Sequence, residues 1–235
     1  IPFKEAGFFI EKFLGVTVSH ETIQEFTEKT GRRIFEDEKK EMEKLIGTNG
    51  YVKEELYNDK EKNIPETIYM QVDGSMVQTR EEKWKEVKSG LIFAAKDNVQ
   101  VDKHHKAILK KKYFSVFNND KNSLELFRNR TTQTAYEHKF HQYEKQVIIG
   151  DGALWIWDYA SAYHPKAIQK LDYYHAGEYL GNAFKSVVFE KDKEQNKWNE
   201  KLFNWLEAGK IEKIMEWLKQ QKKTVEIEKC LGYYA

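Results

Sequence analysis

The chain has 235 residues, 40 % of them hydrophobic and 14 % aromatic, a globular composition that excludes a disordered or fibrous class. Its charges nearly cancel to +1, and only five of its 39 basic residues are Arg, so bulk charge does not by itself signal a nucleic-acid partner. A single cysteine, Cys230, excludes a disulfide framework and a thiolate zinc site, and no run approaches the ~20 apolar residues that cross a bilayer.

With no signal-like start, the expectation is a reduced, soluble, intracellular protein. Because the chain opens at Ile1 without an initiator Met, it reads as a piece of something longer. Three zones follow one another, 1–63, 64–190 and 191–235.

The first zone reads helical. Phe9, Ile10, Phe13 and Leu14 recur at helical spacing over Phe3–Leu14, and Gly15 breaks the run. Ser19 is an N-cap candidate for a helix over His20–Thr30, with Glu21 in its favourable first turn. Gly31 is expected to close it, and a charged amphipathic run continues through Ile46 to Gly47–Gly50. Two helices around a Gly turn have the outline of a DNA-binding helix-turn-helix, and equally of an ordinary helical hairpin. Glu21, Gln24, Glu25 and Glu28 make the second helix a poor surface for a DNA groove.

The second zone changes character. β-rich runs at Ile68–Val72, Trp84–Ala95, Tyr113–Phe117, Val147–Ile149 and Ala167–Leu171 read as strands. Ser123–Tyr143 and Ala153–Tyr163 read as helices between them, and a last helix follows Asp172. The order β-β-β-α-β-α-β-α predicts a mixed α/β sheet, and it is the order of a ribonuclease-H-like fold. The third zone is helical: Trp198, Phe203, Trp205, Ile211, Ile214, Met215, Trp217 and Leu218 recur at helical spacing, with Gly209 between two helices.

Asp73 and Asp151 each follow a short apolar strand. Carboxylates at strand ends gather at one sheet edge, where open α/β sheets form ligand crevices. Gly74 and Gly152 beside them leave room for an ion or phosphate to approach. Gathered carboxylates repel unless they share a cation; Mg²⁺ (or Mn²⁺) suits oxygen ligands and phosphate chemistry. Asp-Gly is also a common turn pair, which is the competing explanation of each site alone. Asp172, His175 and Glu178 share one helical face, as a metal site or as a helix cap with a buried histidine. The stretch Lys96–Lys112 carries six Lys against Asp97 and Asp102; Lys103, Lys106, Lys110, Lys111 and Lys112 form either a DNA backbone contact or a solvated loop. His104 and His105 lack further ligands at a sensible spacing. Trp155 and Trp157 read as core or crevice wall, with base stacking the other reading.

These residues carry a specific resemblance. Ile68-Tyr-Met-Gln-Val-Asp-Gly-Ser-Met-Val77 with Trp84-Lys-Glu-Val-Lys-Ser-Gly90 resembles the first catalytic block of bacterial insertion-sequence transposases of the Kra and Lre type. Val147-Ile-Ile-Gly-Asp-Gly-Ala-Leu-Trp-Ile-Trp157 resembles their second block. Leu171-Asp-Tyr-Tyr-His-Ala176 resembles the Asp-x-x-His signature shared with Mutator-like transposases, and Phe3–Gly31 the segment that precedes their catalytic domain.

The resemblance implies a DDE transposase: a ribonuclease-H-like core, Mg²⁺- or Mn²⁺-dependent cleavage and transfer of double-stranded DNA at transposon ends, and action as a homo-oligomer in the bacterial cytoplasm or nucleoid. Asp73 and Asp151 match the first two acids, and Asp172 and His175 the signature. Trp198–Leu231 matches the helical insertion that precedes the catalytic Glu. That Glu block is absent, the chain stopping at Gly232-Tyr-Tyr-Ala235, so this stretch is expected to be inactive alone. Glu178 and Glu190 are the fallback third acids. A catalytically silent DNA-binding relative and a ribonuclease-H-like nuclease are the alternative functions.

Overall fold

The computed structural model describes residues 2–56, 63–79, 84–103, 105–117, 121–187 and 192–234. Helix α1 (Phe3–Leu14) ends at Gly15, whose backbone lies in the left-handed region (φ 67°) and whose N–H donates to Glu11 O. The Ser19 hydroxyl accepts from Thr22 N–H and starts helix α2 (His20–Leu45). The two helices around a Gly turn are present, but Gly31 does not close the second one. Helix α2 is a single 26-residue rod running through it. A helix-interior Gly costs only about 1 kcal/mol against Ala. The Glu28–Arg32 pair spans Gly31, and Lys39–Glu43 supports the helix beyond it.

The end of α2 is anchored by a small core of Met42, Ile46 and Val52, with Leu126 and Tyr136 packed against it. Residues 64–171 supply the sheet. Strand β1 (Ile64–Gln78) pairs antiparallel with β2 (Trp84–Ala94). A separate small hairpin, β3 (Asn98–Gln100) with β4 (Lys106–Ile108), occupies the stretch read as a basic loop. Strand β5 (Lys112–Phe117) pairs antiparallel with β2. Helix α3 (Ser123–Glu137) leads to β6 (Tyr143–Gly150), and helix α4 (Leu154–Tyr163) leads to β7 (Ile168–Leu171). Both β6 against β1 and β7 against β6 are parallel. The sheet order is β5-β2-β1-β6-β7, a mixed α/β architecture as expected from the element order.

Two boundaries differ from expectation. Helix α3 stops at Glu137, not at Tyr143: Lys139 takes a left-handed backbone (φ 55°), and Tyr143 already belongs to β6. Strand β1 does not stop before Asp73-Gly74 but runs on to Gln78 against β2; only its pairing with β6 ends at Val72.

Alternation explains the main core. Ile68, Met70 and Val72 of β1, Ile92 of β2, Phe114 and Val116 of β5 and Ile148 of β6 bury one face against Phe127 of α3 and Ile156, Tyr159 and Ala160 of α4. The opposite face is only partly buried; there Tyr69 and Phe93 stack across the β1–β2 pair at 5.3 Å between ring centroids.

Helix α5 (Tyr173–Lys185) joins α6 (Asp192–Glu207), α7 (Ile211–Lys219) and α8 (Val225–Tyr234) around a second core. Leu180, Leu202, Ile214, Leu218, Ile227 and Cys230 are fully or almost fully enclosed there. The helical unit therefore begins at α5, ahead of residue 191. No helix among the described residues is long and apolar enough to cross a membrane.

Candidate active site

Three parallel-paired strands end their shared register in one row. Val72 lies opposite Gly150 across β1–β6, and Gly150 lies opposite Leu171 across β6–β7. The next residue in each segment is an aspartate: Asp73, Asp151 and Asp172. Neighbouring strands sit about 4.7–4.9 Å apart, so the register brings the three acids into one short line. Asp172 is tied into this edge by its own backbone, whose N–H donates to Gly150 O at 2.8 Å.

Each carboxylate has a distinct setting. Asp172 Oδ1 accepts from the N–H groups of Tyr174 (2.8 Å) and His175 (3.1 Å), capping α5. Its Oδ2 accepts from Gln71 Nε2 at 3.5 Å. Asp151 Oδ1 accepts from Ala153 N–H at 2.9 Å, which turns the chain into α4. Asp73 accepts weakly from the Ser75 hydroxyl at 3.5 Å, and His175 Nε2 stands 3.8 Å from its Oδ1. Asp73 and His175 are about two-fifths exposed, so both meet solvent and any ligand that arrives there. The cap expected of Asp172 is present; His175 is not buried but turned to Asp73.

The flanking glycines do not leave open space. A Cβ on Gly74 would lie 2.7 Å from Glu86 Oε1, and one on Gly152 would lie 2.9 Å from Cε2 of Tyr233. Gly152 also has φ 94°, so both its backbone and its neighbour call for Gly. Behind the edge, on the helix-covered face, the buried Lys88 pairs with Glu86 at 2.5 Å and lies 4.3 Å from the Trp155 ring centroid. Trp155 also meets Phe127 edge-on, so it serves as a wall of the core. Trp157 packs against that same core.

The five lysines lie elsewhere. Lys112 pairs with Ile92, which pairs with Met70, three register positions back along β1 from Asp73. Lys103, Lys106, Lys110 and Lys111 belong to the β3–β4 hairpin or its flanks, and all five are exposed. His105 Nδ1 contacts the Asp102 carboxylate at 2.8 Å, while His104 lies outside the described residues. Glu178 is exposed on α5, one turn beyond His175, and Glu190 lies outside the described residues. Among the described residues no group of three or more His, Cys, Asp or Glu is arranged to hold a metal ion.

No family model matches this chain, and no curated protein matches it significantly. Two members of the site escape a reading by motif. Gln71 precedes Asp73 by two residues and so shares its strand face, a relation visible in period-two alternation. Tyr233 arrives from α8. Its phenol is raised above the ordinary value by burial first, then by the negative charges of Asp151 and Asp172. No local pattern announces that contact, because it depends on how the second core docks.

Proposed function

We propose that this chain is part of a DDE-type DNA transposase, with Asp73 and Asp151 as metal-binding acids of a ribonuclease-H-like core. The observation that carries the reading is the register row of Asp73, Asp151 and Asp172 at one edge of the β5-β2-β1-β6-β7 sheet. Three antiparallel strands followed by two parallel ones, with helices between, support the ribonuclease-H-like assignment.

The donor set fits Mg²⁺ or Mn²⁺. Mg²⁺ is held by one or two carboxylates together with waters and substrate phosphates, not by an all-protein cage. Two hard oxygen donors at adjacent register positions meet that need without a third protein ligand. When bound there, such a cation supplies activation of water or a 3′-hydroxyl and charge stabilisation at the scissile phosphate. The chain's own contribution is positional. Asp172 holds the start of α5 and, through it, His175 beside Asp73. In this reading His175 donates to a phosphate oxygen or to Asp73, and double-stranded DNA lies along the exposed edge. Lysines 103, 106, 110, 111 and 112 contact the backbone of that DNA at a distance from the acids.

The test joins metal binding to DNA chemistry. Calorimetric titration of the 235-residue chain with Mn²⁺ is expected to show a site that Asp73→Asn and Asp151→Asn each weaken at least about tenfold, through loss of a charged ligand. In a longer form of the protein carrying a third acid, both substitutions abolish Mg²⁺-dependent cleavage of transposon ends, while DNA binding persists and weakens as salt rises. Mn²⁺ affinity unchanged in both variants would sink the assignment.

A further inference from the structure

The hydroxyl of Tyr233 is buried and has no hydrogen-bond partner among the described residues. Such a group costs free energy wherever it is stranded, and a Phe would fill the same place without that cost. The ring itself is well held. It stacks on Tyr179 at 4.2 Å between centroids and presses on Gly152, where no Cβ would fit. Its neighbour Tyr234 makes the contrast: that hydroxyl donates to Ala176 O at 2.8 Å and ties α8 to α5.

Two acids of the row keep an oxygen with no hydrogen-bond donor among the described residues, Asp73 Oδ1, which has only His175 Nε2 at 3.8 Å, and Asp151 Oδ2; of the two, Asp151 is the one beside Tyr233. Asp172 has donors on both oxygens, Tyr174 and His175 N–H on Oδ1 and Gln71 on Oδ2. Among the described residues Asp151 has a donor on Oδ1 alone, the Ala153 N–H. Gly152, the residue that the Tyr233 ring contacts, directly follows Asp151. A carboxylate that ligates a metal through one oxygen is ordinarily held by a hydrogen bond from outside the coordination shell.

We propose that Tyr233 is a positioning residue for the acid row, its hydroxyl donating to Oδ2 of Asp151 once a divalent cation is held there. The inference rests on the cation reading given above. It assigns α8 a part in the site: the helical unit supplies the donor that fixes the Asp151 carboxylate, so the docking of the second core and the loading of the site are linked.

The experiment compares the intact chain with Tyr233→Phe, Tyr234→Phe and Asp151→Asn, measuring Mn²⁺ affinity by calorimetry and Tm without metal. Tyr233→Phe is expected to weaken Mn²⁺ binding about tenfold or more, with Tm unchanged or raised. Tyr234→Phe is expected to lower Tm and leave Mn²⁺ affinity alone. Wild-type affinity in Tyr233→Phe, with binding still lost in Asp151→Asn, overturns the role of Tyr233 and leaves the cation site standing. A lowered Tm in Tyr233→Phe assigns the hydroxyl to structure and likewise overturns the proposal. Absence of any Mn²⁺ binding sensitive to Asp151 overturns both.

Discussion

Asp172 serves both α5 and the acid row, and two substitutions separate the parts. Its Oδ1 caps the helix through the N–H groups of Tyr174 and His175. Asp172→Ala removes that acceptor and is expected to cost about 1 kcal/mol, the usual value for a lost N-cap. Asp172→Asn keeps an oxygen in place and is expected to unfold at nearly the wild-type urea concentration. Equal loss in both variants would show that charge, not capping, is what Asp172 contributes to the fold. At this scale much of the site is legible in the sequence. Asp73 and Asp151 each end an apolar run, so their alignment follows from strand pairing, whereas Asp172 ends the exposed, mixed run Ile168-Gln-Lys-Leu171 and joins the row only because β7 pairs with β6. What is not legible is the company they keep. Glu86 and Tyr233 fill the space beside Gly74 and Gly152, and neither contact leaves a mark within its own stretch of sequence.

At the scale of elements, apolar patterning locates the five strands of the main sheet but not their ends. The first strand reads as ending at Asp73-Gly74, a pair that also favours turns, yet β2 continues to pair through Ser89 and Lys88 and holds it extended. The three-residue strands β3 and β4 are too short to show a period. Gly31 reads as a stop, and the helix passes through it because no competing turn geometry is offered. That Gly sits in a helix interior, and apart from its own helical turn no described atom lies within 4 Å of where a Cβ would sit. Gly31→Ala is therefore expected to stabilise α2 by up to about 1 kcal/mol. The rod is exposed from residue 25 to residue 41, so the gain is read locally, by amide hydrogen exchange across residues 28–36. Exchange there should slow about fivefold, the ratio that corresponds to about 1 kcal/mol. Faster exchange would show that Gly31 relieves a strain that the straight helix conceals.

On the scale of the whole molecule, stability is shared between a sheet core and a helical core, and His164 couples the former to pH more strongly than His138, whose pKa burial also lowers. His164 follows α4. Its ring meets Phe140 edge-on at 4.9 Å between centroids, and its Nε2 lies 3.3 Å from the Tyr159 hydroxyl. Burial, and secondarily the charge of His141, lowers its pKa from 6.5 to about 4. The folded protein thus resists protonation there while the unfolded chain accepts a proton at the ordinary value. Above pH 6.5 both forms are neutral and the group is without effect. As pH falls from about 6.5 towards about 4 the unfolded state binds the extra proton and stability declines; below about 4 the folded state is protonated too and the loss levels off. At about 1.4 kcal/mol per pH unit the interval sets an upper bound of about 3 kcal/mol, reduced by the ring's residual contact with solvent. His164→Gln removes the titration and keeps a polar side chain near Tyr159. Urea unfolding at pH 7 and pH 5 should show a smaller acid loss in the variant than in the wild type. A difference between the two proteins that does not change with pH would mean that His164 is already protonated, or already exposed, in the folded state.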